Sequence, residues 1–141
     1  MPSIFKRKKG NKYNNKTVEW NGLKFDSRKE MERYIFLLEA KEQGLIHTLQ
    51  RQVKFELIPA VKETYIEHLK TKDKEKTRTL QLAITYTCDF AYYKGNEYII
   101  EDVKASPKIA SLDKVFLIKE KLFRWKFNKQ IKRVYKANEP I

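Results

Sequence analysis

The protein has 141 residues, 41% of them hydrophobic and 13% aromatic, enough for one domain with a buried core and too many for a chain disordered throughout. No apolar run approaches the roughly 18 residues of a membrane span, the opening MPSIFKRKKG lacks the apolar stretch of a signal peptide, and a lone Cys88 excludes an internal disulfide or a Cys-rich zinc site. Lys and Arg number 31 against 18 Asp and Glu, a net +13, which points to a polyanionic partner and first of all to nucleic acid in a reducing, cytoplasmic setting.

That surplus sits in two places. Residues 1–16 carry Lys6, Arg7, Lys8, Lys9, Lys12 and Lys16 with no acid, and residues 104–136 carry a net +9, whereas 17–103 sum to −1. Two basic segments flanking a balanced body suit a surface that grips a phosphate backbone.

In chain order, residues 1–16 read as a flexible basic arm and 17–141 as the folded domain. Asn21-Gly22 predicts a turn between Thr17–Trp20 and Leu23–Phe25. Ser27-Arg28-Lys29-Glu30 fits a capping box opening a helix that buries Met31, Tyr34, Ile35 and Leu38 and ends at Gly44. Val53–Ile58 alternates as a strand stopped by Pro59. The charged segment 62–78 reads as a mobile insertion, either a hairpin or a loop. Leu80–Tyr93 is expected to be one long strand, Tyr98–Lys104 its return, and Pro107 the end of that element. A helix capped by Ser111 should run to about Phe127 and bury Leu112, Val115, Phe116, the Lys119 stem, Leu122 and Phe123. Tyr13, Trp20 and Trp125 could stack on bases, but Trp125 falls in the apolar pattern of this helix and reads as core. Gln130–Lys136 is a last strand. The order predicts an α/β fold in which a mixed central β-sheet is flanked by helices.

The chemistry concentrates in Asp89 and in Asp102-Val103-Lys104. Side chains alternate along a strand, so Asp102 and Lys104 share a face and Glu101 points away. If Gly95-Asn96 forms a two-residue turn, Lys94 pairs with Glu97 and Asp89 falls opposite Asp102; a three-residue turn would pair Asp89 with Glu101 instead. Facing carboxylates repel unless a cation lies between them, and Mg²⁺, with its preference for hard oxygen ligands, suits two carboxylates, water and a phosphate oxygen. Lys104 is placed to orient or help activate a water and to steady developing negative charge. Cys88 reads as a small core residue, and His47 and His68 lack ligand spacing.

Asp89, a hydrophobic hairpin and then Asp102-Val103-Lys104 resemble the PD-(D/E)xK motif of restriction-endonuclease-like nucleases. More closely, Gly22–Glu30, Val53–Pro59 and the acidic pair resemble a family of small phage-encoded endonucleases that includes Holliday-junction resolvases related to the bacterial RecU type. The resemblance spans about residues 12–135, apart from 62–78. Cys88 stands where that pattern often has proline, and the acid before Lys104 is aspartate rather than the commoner glutamate.

The resemblance implies a single restriction-endonuclease-like domain that hydrolyses DNA phosphodiester bonds with Mg²⁺ or Mn²⁺, acts on four-way junctions as a homodimer, and works in the cytoplasm of a bacterial host. It makes Asp89, Asp102 and Lys104 catalytic, with Asp89 and Asp102 on the metal. It also adds Glu30 as a further ligand, although Glu30 equally completes the capping box, and Gln52 as a site-lining residue, although a polar strand-edge role fits as well. Lys6, Arg7, Lys8 and Lys9 in the arm, with Lys114, Lys121, Arg124 and Lys126 on the last helix, are the candidate DNA contacts. Two other readings stay open: a nicking or restriction-like nuclease on duplex or flapped DNA, and a non-catalytic basic DNA-binding protein on a nuclease scaffold.

Overall fold

The computed structural model describes residues 16–141, so Lys6, Arg7, Lys8, Lys9 and Tyr13 lie outside the described residues. The first hairpin forms as expected, β1 (Val18–Trp20) against β2 (Leu23–Phe25). Ser27 Oγ then accepts the Glu30 N–H at 3.1 Å and opens α1 (Arg28–Glu42). The helix closes at Gly44, whose φ of 76° lets the Gly44 and Leu45 N–H groups turn back onto the Lys41 and Ala40 carbonyls.

The inward line of α1 differs from the apolar spacing. Glu30, Arg33, Leu37 and Ala40 are its buried residues, and Met31, Tyr34, Ile35 and Leu38 are half-buried. The helix is turned so because Arg33 has a partner inside. Its Nε and Nη2 donate to Glu101 at 2.8 and 2.6 Å, and both side chains are fully buried. Arg33 Nη1 also donates to the Ala137 and Glu139 carbonyls, which fastens the C-terminal segment to the same cation.

The central sheet is mixed and four-stranded. Strand β3 (His47–Arg51) lies antiparallel to β8 (Phe90–Lys94), which lies antiparallel to β9 (Glu97–Val103), and β10 (Lys132–Val134) joins β9 in parallel. The β8–β9 register follows the two-residue turn, Lys94 opposite Glu97 and Phe90 opposite Glu101. Of the turn residues only Gly95 has positive φ, at 61°, the pattern of a type II′ turn.

The long strand expected over Leu80–Tyr93 is instead broken twice. β6 (Asp73–Gln81) ends just inside that span, β7 covers Ile84–Thr87, and Cys88-Asp89 separate it from β8. Opposite that second break, Gln52 and Val53 separate β3 from β4 (Lys54–Ile58), which pairs with β7. The register does not slip: Arg51 faces Phe90 on one side and Lys54 faces Thr87 on the other. Two backbone bonds, Gln52 N–H to Asp89 O and Cys88 N–H to Val53 O, both 3.0 Å, carry the pairing across. The sheet thus bends at one point, with Gln52 in a left-handed conformation, φ 53°.

Segment 62–78 falls within a regular hairpin, β5 (Val61–His68) with β6 (Asp73–Gln81), so the loop alternative gives way. Cross-strand ion pairs Glu63–Arg78 and Glu67–Lys76 explain how so charged a stretch holds a ladder. Pro107 does not simply end β9. It starts a short helix, α2 (Pro107–Leu112), capped by Ser106, and α3 (Lys114–Phe127) is capped by Asp113, whose carboxylate accepts the Phe116 N–H. Ser111 donates to the Lys108 carbonyl instead of capping.

On one side of the sheet, Phe116 and Phe123 of α3 pack with Leu57, Tyr86, Cys88, Ala91, Ile100 and Ile131. On the other, Leu37 and Ala40 of α1 pack with Ile46, Phe90 and Tyr92. Leu112 and Val115 are exposed, and Trp125, expected in the core, is 77% exposed, because it lies on the side of α3 away from Phe116 and Phe123. Among the described residues no helix is long and apolar enough to cross a membrane.

Candidate active site

The bend of the sheet assembles the site. Ending the β8–β9 ladder at Phe90–Glu101 leaves the Val103 N–H without a strand partner, and Asp89 supplies one: its Oδ2 accepts that N–H at 2.7 Å. Asp89 is thereby fixed beside Asp102, the neighbour of Glu101 on β9. Asp102 is 7% exposed and held at both oxygens, Oδ2 by the Tyr86 hydroxyl at 2.7 Å and Oδ1 by Lys104 Nζ at 3.0 Å. Lys104 lies 3.7 Å from the Phe116 ring centroid and 3.8 Å from Asp113 Oδ2, and its backbone N–H is tied to Val134 O at 2.8 Å.

The electrostatics are those of crowded acids. Burial, then the charges of Asp102 and Glu30, push the Asp89 carboxyl up to about 8 against the nearby Lys104 and the Val103 N–H. Glu30 is also raised, by burial and by Asp26, with Arg51 and a hydrogen bond from Gln52 Nε2 at 3.2 Å opposing. Burial and the Asp102 carboxylate raise the Tyr86 hydroxyl, which keeps it a donor. The Cys88 thiol is pushed up to about 12 by burial, which suits a core residue and not a nucleophile.

The structure therefore brings together Asp89, Asp102 and Lys104, with Glu30 within electrostatic reach of Asp89 and Gln52 bonded to Glu30. Among the described residues no three His, Cys, Asp or Glu side chains stand close enough to grip one ion between them. Asp89 and Asp102 stand together as two carboxylates that could hold a hard cation, and one or two carboxylates completed by waters and phosphate oxygens are how Mg²⁺ is commonly held. Beside Lys104 opens a cleft of about 300 Å³ lined by Tyr86, Thr87, Asp113, Phe116 and Lys119.

Three neighbours escaped the sequence reading. Tyr86 looked like any aromatic strand residue. Lys29 donates to the Lys104 and Ala105 carbonyls and ties α1 to the end of β9. Asp113 marks its role only as a helix cap. Of the candidate DNA contacts, Lys114, Lys121, Arg124 and Lys126 are exposed on α3, and Lys126 donates to the Glu56 carbonyl at 2.6 Å. His47 stacks on Tyr93 and His68 pairs with Asp73 at the hairpin tip, both away from the carboxylates.

Fold and site together define a mixed α/β protein with two acids and a lysine gathered at a bend in its central sheet. The chain belongs to the family described as protein of unknown function (DUF1064), whose model matches residues 10–139. No curated protein and no solved structure matches it.

Proposed function

We propose that this protein is a metal-dependent DNA endonuclease with a restriction-endonuclease-like domain. One observation carries the reading: Asp89 and Asp102 are held side by side at the bend although their charges oppose, with Lys104 Nζ 3.0 Å from Asp102. Repelling acids at a partly open position are retained where a cation or a developing charge uses them. Asp89 and Asp102 would hold Mg²⁺ or Mn²⁺, with Glu30 as a further, outer donor. When bound, the ion supplies a Lewis acid for the phosphate oxygen and lowers the proton affinity of a water.

The remaining tasks fall to side chains. Lys104 orients the attacking water and offsets negative charge accumulating on the phosphate. Tyr86 fixes the Asp102 carboxylate, leaving Lys104 free to move without losing the acid's orientation. Gln52 orients Glu30. Lys114, Lys121, Arg124 and Lys126, with the arm residues Lys6, Arg7, Lys8 and Lys9, neutralise phosphates. Branched DNA, specifically a four-way junction cut by a two-fold homodimer in a bacterial cytoplasm, is the substrate that the resemblance to phage resolvases supports.

The test is cleavage of a labelled four-way junction and a matched linear duplex with Mg²⁺, Mn²⁺ or EDTA, beside Asp102→Asn. Paired, symmetric, metal-dependent cuts in the junction alone, lost in the variant, are expected. Equal cutting of both substrates moves the reading to a general nuclease. Salt-sensitive binding without any cutting overturns catalysis and leaves a DNA-binding protein.

A further inference from the structure

The outermost line of α3 is unusual for a surface helix. Lys114, Ile118, Lys121 and Trp125 follow at intervals of four, three and four residues, a single ridge opposite the buried Phe116 and Phe123. Trp125 is 77% and Ile118 59% exposed, and Trp125 enters no aromatic or cation–π pair among the described residues. Val115 lies exposed on one flank, and Arg124 on the other. An exposed indole on a helix whose core face is already filled by two phenylalanines has no structural task inside this domain.

The charges say what covers it. Between Lys114 and Phe127 the helix carries Lys114, Lys119, Lys121, Arg124 and Lys126 against one acid, Glu120. Glu120 is already committed, accepting from Arg133 Nε and Nη2 at 2.8 and 2.5 Å. A second copy of the same helix would therefore meet cations with cations. A polyanion with flat apolar faces satisfies both halves of the ridge, since cations take its phosphates and an indole stacks on a base.

We infer that the outer ridge of α3 is a platform for single-stranded nucleic acid, with Trp125 stacked on an unpaired base and Lys121 and Arg124 on the adjoining phosphates. The platform rests on the nuclease reading only for the source of such bases, the unpaired nucleotides at a branch. Its own test needs no cleavage.

Trp20 and Trp125 are the two tryptophans, so the full chain carrying Trp20→Phe reports on Trp125 alone. Titration with oligothymidylate of about 20 nucleotides should quench that fluorescence, and a blunt duplex of equal charge should leave it nearly unchanged. In the wild-type chain, Trp125→Ala should weaken oligothymidylate binding about five- to 150-fold, the range expected for one lost stack, while Trp125→Phe stays near wild type and duplex binding changes little. Being so exposed, position 125 tolerates both changes without unfolding. No quenching together with unchanged affinity overturns the platform, as does equal quenching by duplex. So does sedimentation in which Trp125→Ala turns a dimer into a monomer, which would make the ridge an interface between copies. If the metal-supplemented protein cuts nothing but Trp125 behaves as stated, the nuclease reading fails and the platform stands; cutting with an inert Trp125 fails the platform alone.

Discussion

Asp89 accepts the backbone N–H of Val103 at 2.7 Å, so the strand that carries the second acid of the site is finished by the first. This bond converts a break in a β-ladder into a fixed spacing between two carboxylates, and it explains why Asp89 stays in place where its charge is unwelcome. Asn at position 89 preserves the accepting oxygen and removes the charge, which makes it the informative substitution.

The first prediction is a pH-dependent stabilisation by Asp89→Asn. In the folded protein the Asp89 carboxyl is pushed up to about 8 from an ordinary 3.8, so ionisation opposes folding. That penalty is fully present above about pH 8, shrinks as pH falls, and is gone below about 4. Urea unfolding without divalent metal should show Asp89→Asn more stable than wild type at pH 8.5, by up to about 5 kcal/mol for a rise of roughly four pH units. The two curves should converge near pH 4. A constant difference across that window would mean the carboxyl is not strained.

Metal should relieve the same strain. A cation beside Asp89 competes with its proton, so Mn²⁺ affinity by calorimetry should weaken by up to about tenfold for each unit of pH lowered below about 8. Mg²⁺ or Mn²⁺ should raise the melting temperature of the wild type and leave that of the Asp89→Asn, Asp102→Asn double variant unchanged. Equal shifts in both proteins would place the ion elsewhere.

Much of this site is legible in the sequence because its geometry is local. Gly95-Asn96 sets the turn, the turn sets the register, and the register brings Asp89 and Asp102 together with Lys104 on the face of Asp102. Ser27 and Gly44 delimit α1 for the same reason. The bend is not legible: Gln52 has a left-handed φ without being glycine, and apolar alternation runs through Cys88-Asp89 without a breaker. Arg33 and Trp125 mislead in opposite senses. A charge in a helix reads as outward and an indole as inward, but Glu101 draws one inside and the filled core leaves the other out.

The buried Arg33–Glu101 pair makes the third prediction. Tyr92 and Arg33 both donate to Glu101, and Arg33 also holds the carbonyls of Ala137 and Glu139. Arg33→Ala strands a fully buried carboxylate and should cost about 3–5 kcal/mol in chemical denaturation. Arg33→Met with Glu101→Gln removes both charges together and should recover most of that loss. If the double variant is no better than the single, the pair contributes through the C-terminal carbonyls rather than through Glu101.

The last prediction separates orientation from chemistry at Asp102. Tyr86 and Lys104 each hold one of its oxygens, but only Lys104 carries a charge a phosphate can feel. Tyr86→Phe removes one donor to a buried carboxylate and should cost about 1–3 kcal/mol of stability, with a modest loss of cleavage that rising metal concentration largely restores. Lys104→Met keeps the stem against Phe116 and removes the charge. It should leave junction binding within about threefold of wild type and lower the single-turnover cleavage rate by about 10²–10³, the size of one lost electrostatic contact in the transition state, at any metal concentration. Were metal to rescue Lys104→Met and not Tyr86→Phe, the roles of the two would be exchanged, and Lys104 would be a structural partner of Asp102 rather than the group that acts on the water.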